Sequence, residues 1–191
     1  MRINLPTWLT LFRILLLPVI VLAFYMPWRW SSVAAAAVFV AAALTDWLDG
    51  WLARRLDQIS PFGTFLDPVA DKLMVTVTLF LLVADHPSAL LALTAAVIVG
   101  REIGVSALRE WMAELGEGGR VRVRLMGKLK TVVQFVAIVV LLIEHDDGTL
   151  RLYRVGESLL LLAAALTLLS GAAYLRAAWP SLLGGRPGGG G

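Results

Sequence analysis

Six long apolar runs alternate with short polar segments along the chain, and their extent predicts helices at about residues 8–26, 32–54, 65–84, 89–113, 128–143 and 156–178. A bilayer core of about 30 Å takes roughly 20 apolar residues per helical crossing, so each run is read as a span. The predicted fold is all-α: a polytopic membrane protein with six transmembrane helices enclosing a polar pocket open to the cytoplasmic side. Residues 1–178 read as a single transmembrane domain, and 179–191 as a flexible Gly-rich tail with no apolar face. Alanine runs at Ala34–Ala37 and Ala41–Ala43 give the second helix a small-residue surface that neighbouring helices can approach closely.

Composition narrows the class. Of 191 residues, 59% are hydrophobic and 16% charged, and the mean hydropathy is +0.79, whereas soluble domains are nearer half apolar and a quarter charged. The absence of cysteine excludes disulfides, a thiolate nucleophile and Cys-based metal centres. A net charge of +3 is spread between the spans instead of forming a stripe, which argues against nucleic acid as a partner. The first run lacks a small-residue cleavage site and is read as a retained span. An even number of spans puts both termini on one side. With that side cytoplasmic, Arg2, Arg54, Arg55, Arg120, Arg122, Arg124, Lys128, Lys130, Arg176 and Arg186 fall there, against Arg29, Arg151 and Arg154 opposite, as the positive-inside bias requires. Trp8, Trp28, Trp30, Trp111 and Trp179 lie near span ends, where indoles favour the headgroup zone.

Some charges fall inside the apolar runs: Arg13, Lys72, Arg101 and Arg109, together with Asp46, Asp49, Asp67, Asp71 and Glu102. Charge at such depth is costly enough to suggest function. Asp46, Asp49 and Ala53 follow i, i+3, i+7 spacing on one helical stripe, and Asp67 and Asp71 stand one turn apart on the next helix. Two helices can therefore aim four carboxylates at one point, where the carboxyls must hold protons or gather cations. Hard oxygen donors favour Mg²⁺ or Mn²⁺, with Ca²⁺ possible, over zinc or copper. The alternative is that the aspartates pair with Arg54, Lys72, Arg13 or Arg101 to hold helices together. Gly50 and Ala53 leave bare helix surface where a nucleotide or phosphate can approach.

The pattern D-x-x-D-G-x-x-A-R, eight intervening residues, then G-x-x-x-D-x-x-x-D is filled by Asp46, Asp49, Gly50, Ala53, Arg54, Gly63, Asp67 and Asp71, and resembles the signature of the CDP-alcohol phosphotransferases. The resemblance implies a six-helix membrane enzyme, usually a homodimer, that displaces CMP from a CDP-linked substrate with an alcohol, using divalent metal ions. Asn4 to Arg13, Gly100-Arg101-Glu102, Ser106 to Gly116, and Gly127 to Gln134 resemble the bacterial branch of that family whose substrates are CDP-diacylglycerol and sn-glycerol 3-phosphate. This likeness covers residues 2–134; the last two spans match in hydropathy more than in motif. It implies the bacterial cytoplasmic (inner) membrane as the location and membrane lipid as a partner.

From these readings Asp46, Asp49, Asp67 and Asp71 are expected to hold two ions, Mg²⁺ or Mn²⁺, with Asp67 and Asp71 the catalytic pair and Asp71 also the general base. Asp49, Gly50, Ala53 and Arg54, joined by Asn4 and Thr10, are expected to bind the CDP part; capping or interhelical hydrogen bonding is the alternative for Asn4 and Thr10. The acceptor's phosphate needs cations of its own, and Arg101, Arg109, Lys128 and Lys130 are the available set. Arg101 is favoured for its depth. Arg109 can instead pair with Glu102 on nearly the same helical face, and the two lysines can be snorkelling residues. His86 and His145 read as solvated loop residues, and Asp146-Asp147-Gly148 as a turn. The rival readings are a family member with another acceptor, such as inositol phosphate or serine, or a cardiolipin-forming one, and, from a different class, a small cation transporter. A lipid entrance is expected beside span 2, at Trp47 and Trp51.

Overall fold

Each apolar run folds as one α-helix. The computed structural model describes residues 5–56, 61–114, 124–147 and 150–182, arranged as α1 (Leu5–Tyr25), α2 (Ser31–Leu56), α3 (Pro61–Asp85), α4 (Ala89–Glu114), α5 (Arg124–Asp147) and α6 (Leu150–Leu182). The largest departure from the hydropathy reading is at the start of α6, six residues before the apolar run, and α5 likewise starts four residues before its own. Arginine and lysine there end an apolar run without ending a helix, because their unbranched side chains are good helix formers. Pro61 opens α3 at the position where a missing N–H costs nothing. Ser88 precedes α4; its carbonyl accepts from Ala92 N–H at 2.9 Å, and its Oγ is 3.5 Å from Leu91 N.

The helix pairings trace a closed ring in the order α1, α2, α5, α6, α4, α3, with α3 also touching α2 and α5 across it. Ile20, Phe39, Leu79, Ile98, Ile138 and Leu160 supply one buried side chain from each helix to a common core. Phe39 and Phe135 stack at 5.2 Å between α2 and α5. At the α5–α6 contact, a Cβ on Gly156 would lie 2.6 Å from Leu141 Cγ, so only glycine permits that approach.

The outer surface is apolar as well. Leu15, Leu22, Leu44, Phe80, Leu93 and Leu169 are all exposed, an arrangement that water penalises and hydrocarbon does not. Among the described residues, four helices are long and apolar enough to cross a membrane, within α1, α2, α4 and α6. In the other two, charges interrupt the apolar stretch: Asp67, Asp71 and Lys72 in α3, Lys128, Lys130 and Glu144 in α5.

Candidate functional site

The carboxylates converge because α2 ends and α3 begins at the same end of the ring, where α1 also begins. Asp46 and Asp49 sit one turn apart near the end of α2, Asp67 and Asp71 one turn apart in α3, and Thr10 and Arg13 one turn apart on α1. Arg13 is 1% exposed. Its Nη2 donates to Asp49 Oδ2 at 2.5 Å, its Nη1 donates to Asp71 Oδ1 at 2.5 Å, and Nη1 also lies 3.1 Å from Asp46 Oδ1. Thr10 Oγ1 donates to Asp67 Oδ1 at 2.5 Å. One guanidinium thus gathers three carboxylates, and the neighbouring hydroxyl holds the fourth. Asp49 is buried, while the side chains of Asp46 and Asp71 are about half exposed and face a cavity.

Of the described cations among the possible aspartate partners, Arg13 is the one that bridges the carboxylates; the side chain of Arg54 lies outside the described residues. Lys72 Nζ instead donates to Ser106 Oγ at 2.5 Å, and Arg101 Nη2 to Ser170 Oγ at 2.6 Å. For a divalent ion the donor chemistry fits: hard carboxylate oxygens arrive in pairs from two helices and already share a cation. As they stand, however, no group of three or more acidic or histidine side chains among the described residues is disposed to hold an ion, since the guanidinium occupies their focus.

The cavity, about 430 Å³, has a second wall opposite Asp46 and Asp71, built from Arg101, Glu102 and Arg109 of α4, Lys130 and Gln134 of α5, and Tyr174 of α6. Lys130 is buried at 6% exposure and donates to Glu102 Oε1 at 2.5 Å. It is therefore no snorkelling residue, and the carboxylate considered for Arg109 is engaged by α5. Arg109 lies over the Tyr174 ring, 5.7 Å from its centroid. Arg101 Nε and Gln134 Oε1 are buried without hydrogen-bond partners, so the wall holds polar atoms that a bound anion or hydroxyl would satisfy.

Asn4 lies outside the described residues, as do the side chains of Ala53, Arg54 and Lys128 and of His145. Gly50 falls in α2 directly after Asp49. Trp47 and Trp51 point outward, both exposed, with Arg55 over the Trp51 ring at 4.9 Å. His86, expected as a solvated loop residue, lies in the α3–α4 loop with its side chain 37% exposed, and it also has partners there: Nδ1 lies 2.9 Å from Asp85 Oδ2, Nε2 lies 3.6 Å from Glu144 Oε2, and the ring stacks on Tyr153. Asp85 is its chain neighbour, whereas Glu144 and Tyr153 reach it from α5 and α6, an approach that no local sequence signal announces. Sequence reasoning named Arg13 only as one alternative partner of the aspartates, and missed Lys72, Ser106 and Tyr174 as wall residues.

Compared with known proteins, residues 3–169 match the family model described as CDP-alcohol phosphatidyltransferase. Among curated relatives, a Pseudomonas fluorescens protein named CDP-diacylglycerol–glycerol-3-phosphate 3-phosphatidyltransferase is 55% identical over 182 residues, covering 94% of this chain and 92% of its own. Proteins of the same name are 49% identical in Sodalis glossinidius (strain morsitans), covering 93% of this chain and 96% of the relative, and 50% identical in Yersinia pestis (strain Pestoides F), covering 96% and 99%.

Proposed function

The chain belongs to the CDP-alcohol phosphatidyltransferase family, and from that premise we propose that it transfers the phosphatidyl group of CDP-diacylglycerol to sn-glycerol 3-phosphate, giving phosphatidylglycerophosphate and CMP. The observation that carries this reading is the cavity itself, with Asp46 and Asp71 on one wall and Arg101, Arg109 and Lys130 on the other. A pyrophosphate donor and a phosphomonoester acceptor are both anionic. Placing the acceptor's phosphate on a cationic wall of its own keeps it away from the carboxylates that would repel it.

In the reaction, a primary hydroxyl oxygen of glycerol 3-phosphate attacks the lipid-bearing phosphorus. A P–O bond forms to that oxygen, the P–O bond to CMP breaks, CMP leaves with the electron pair, and the hydroxyl proton passes to the Asp71 carboxylate. Asp46, Asp49, Asp67 and Asp71 would hold two divalent ions, Mg²⁺ or Mn²⁺, whose chemistry when bound is to neutralise the pyrophosphate and the leaving phosphate. Thr10 orients Asp67 through its hydroxyl; with Asn4, Asp49, Gly50, Ala53 and Arg54 it forms the CDP site, where small residues let the nucleotide reach the helix backbone. Arg101, Arg109, Lys128 and Lys130 bind the acceptor's phosphate, the arginines by their planar fork and the lysines as point charges.

All six helices cross the bacterial cytoplasmic membrane on this reading, with α3 and α5 sheltering their charges inside the ring and both termini in the cytoplasm, where the soluble acceptor is available. Residues 1–178 form one domain, the tail read at 179–191 begins as the last turn of α6, which runs to Leu182, and the working enzyme is a homodimer. The test is CMP release by detergent-purified protein given CDP-diacylglycerol, a panel of acceptors, and Mg²⁺, Mn²⁺ or chelator. Release that requires glycerol 3-phosphate and stops with chelator is the expected result. Release with inositol phosphate or serine alone would replace the acceptor, and no release from folded protein would overturn the reading.

A further inference from the structure

Helix α6 carries no charged motif facing the cavity, yet it touches both arginines of the cationic wall. Ser170 is fully buried. Its Oγ donates to Thr167 O at 3.0 Å, which turns the hydroxyl proton back into its own helix and leaves the oxygen lone pairs to accept from Arg101 Nη2 at 2.6 Å. The next residue, Gly171, has no side chain where the arginine stem passes: a Cβ there would lie 3.3 Å from Arg101 Cγ and 3.4 Å from its Nε. One turn beyond Ser170, the ring of Tyr174 lies beneath the Arg109 guanidinium. Arg101 and Arg109 are two turns apart on α4, so a single face of α6 meets both.

The chemistry of these partners matters. A carboxylate would orient Arg101 but compete with a ligand for it, as Glu102 shares Lys130. A serine hydroxyl and a phenol ring orient guanidinium groups and leave the positive charge available to a ligand, and Arg101 Nε remains buried and unpartnered. Neutral partners of this kind suit a structural link poorly, because burying an arginine against a hydroxyl recovers less of its lost hydration than an ion pair does.

We propose that Ser170, Gly171 and Tyr174 form a positioning strip on α6 that aims Arg101 and Arg109 at the phosphate of the acceptor. This rests on the reading of those arginines as the acceptor's binding groups and extends it to three residues that act through them, of which Tyr174 also lines the cavity. Preset guanidinium groups lose less side-chain freedom when the phosphate binds, so the strip contributes to acceptor affinity and leaves the lipid substrate's binding alone.

The experiment measures initial rates of CMP release by full-length, detergent-purified protein, varying glycerol 3-phosphate at saturating CDP-diacylglycerol and then the reverse. S170A is expected to raise the KM for glycerol 3-phosphate about tenfold, the order of one hydrogen bond to a charged group, with the lipid KM within about twofold of wild type and S170T restoring most of the loss. G171V, which displaces the arginine stem, and Y174L should show the same split, and they carry the test should S170A not yield folded protein. An unchanged KM for glycerol 3-phosphate in these variants, or parallel rises for both substrates, would overturn the proposal. R101Q separates the two levels. If R101Q raises the acceptor KM and the α6 variants do not, the strip alone fails; if R101Q also leaves it unchanged, the assignment of the acceptor site fails with it.

Discussion

Replacing Arg13 by glutamine is expected to lower the stability of the metal-free protein and, at the same time, to increase its response to divalent ions. Arg13 is buried against Asp49, whose side chain is 4% exposed, and removing one member of a buried pair typically costs about 3–5 kcal/mol. Its contacts with Asp46 and Asp71 involve side chains that are 46% and 48% exposed, so solvent screening limits each to about 0–1 kcal/mol. The loss in chelator is therefore dominated by Asp49. With the guanidinium gone, the focus of the carboxylates is open, and an ion that binds the folded state stabilises it by about 2.7 kcal/mol at a hundredfold excess over its Kd. The assay is reversible denaturation in mixed detergent micelles, with chelator and with a Mn²⁺ series, accompanied by direct Mn²⁺ titration, so the readout does not depend on turnover. Equal stability of R13Q and wild type in chelator would refute the weight given to the buried pair. A Mn²⁺ response in R13Q no larger than in wild type would refute the idea that guanidinium and ion compete for one position.

Other outcomes follow from the same geometry. D71N should abolish CMP release while leaving CDP-diacylglycerol binding intact, measured by equilibrium binding of the radiolabelled lipid; lost binding would make Asp71 a substrate-site residue and not the base. G156A forces a Cβ against Leu141 at the tightest α5–α6 contact and should destabilise the protein by about 1–3 kcal/mol, read by the same denaturation assay, with unchanged stability showing that the two helices part freely. Replacing Trp47 and Trp51 together by alanine should raise the KM for CDP-diacylglycerol and not that for the acceptor, and an unchanged lipid KM would move the entrance elsewhere on the ring.

The helices were legible because hydropathy over twenty residues is a strong signal, and the aspartate pairs because i, i+3 and i, i+4 spacing maps directly onto a helical face. Contacts between distant helices were not. Glu102 and Arg109 share a face of α4, which made their pairing a fair expectation, but α5 brings Lys130 to Glu102 first and α6 brings Tyr174 to Arg109. Arg13 stood among four candidate partners for the aspartates, and the approach of α1 to both α2 and α3 brings it to three of the carboxylates. Ser170 and Tyr174 sit in an apolar helix with nothing to mark them, since a serine that serves an arginine looks the same in sequence as one that bonds its own backbone. His86 shows the same limit: the loop was visible, and the stacking against Tyr153 was not.

The carboxylates of the cluster all come from α2 and α3, whereas the arginines and the paired lysine of the facing wall come from α4 and α5, with α6 behind them. On the proposed assignment, that division separates the apparatus for the nucleotide end of the donor from the apparatus for the acceptor along the chain itself, so that one alcohol could be exchanged for another by changes confined to the second half of the sequence.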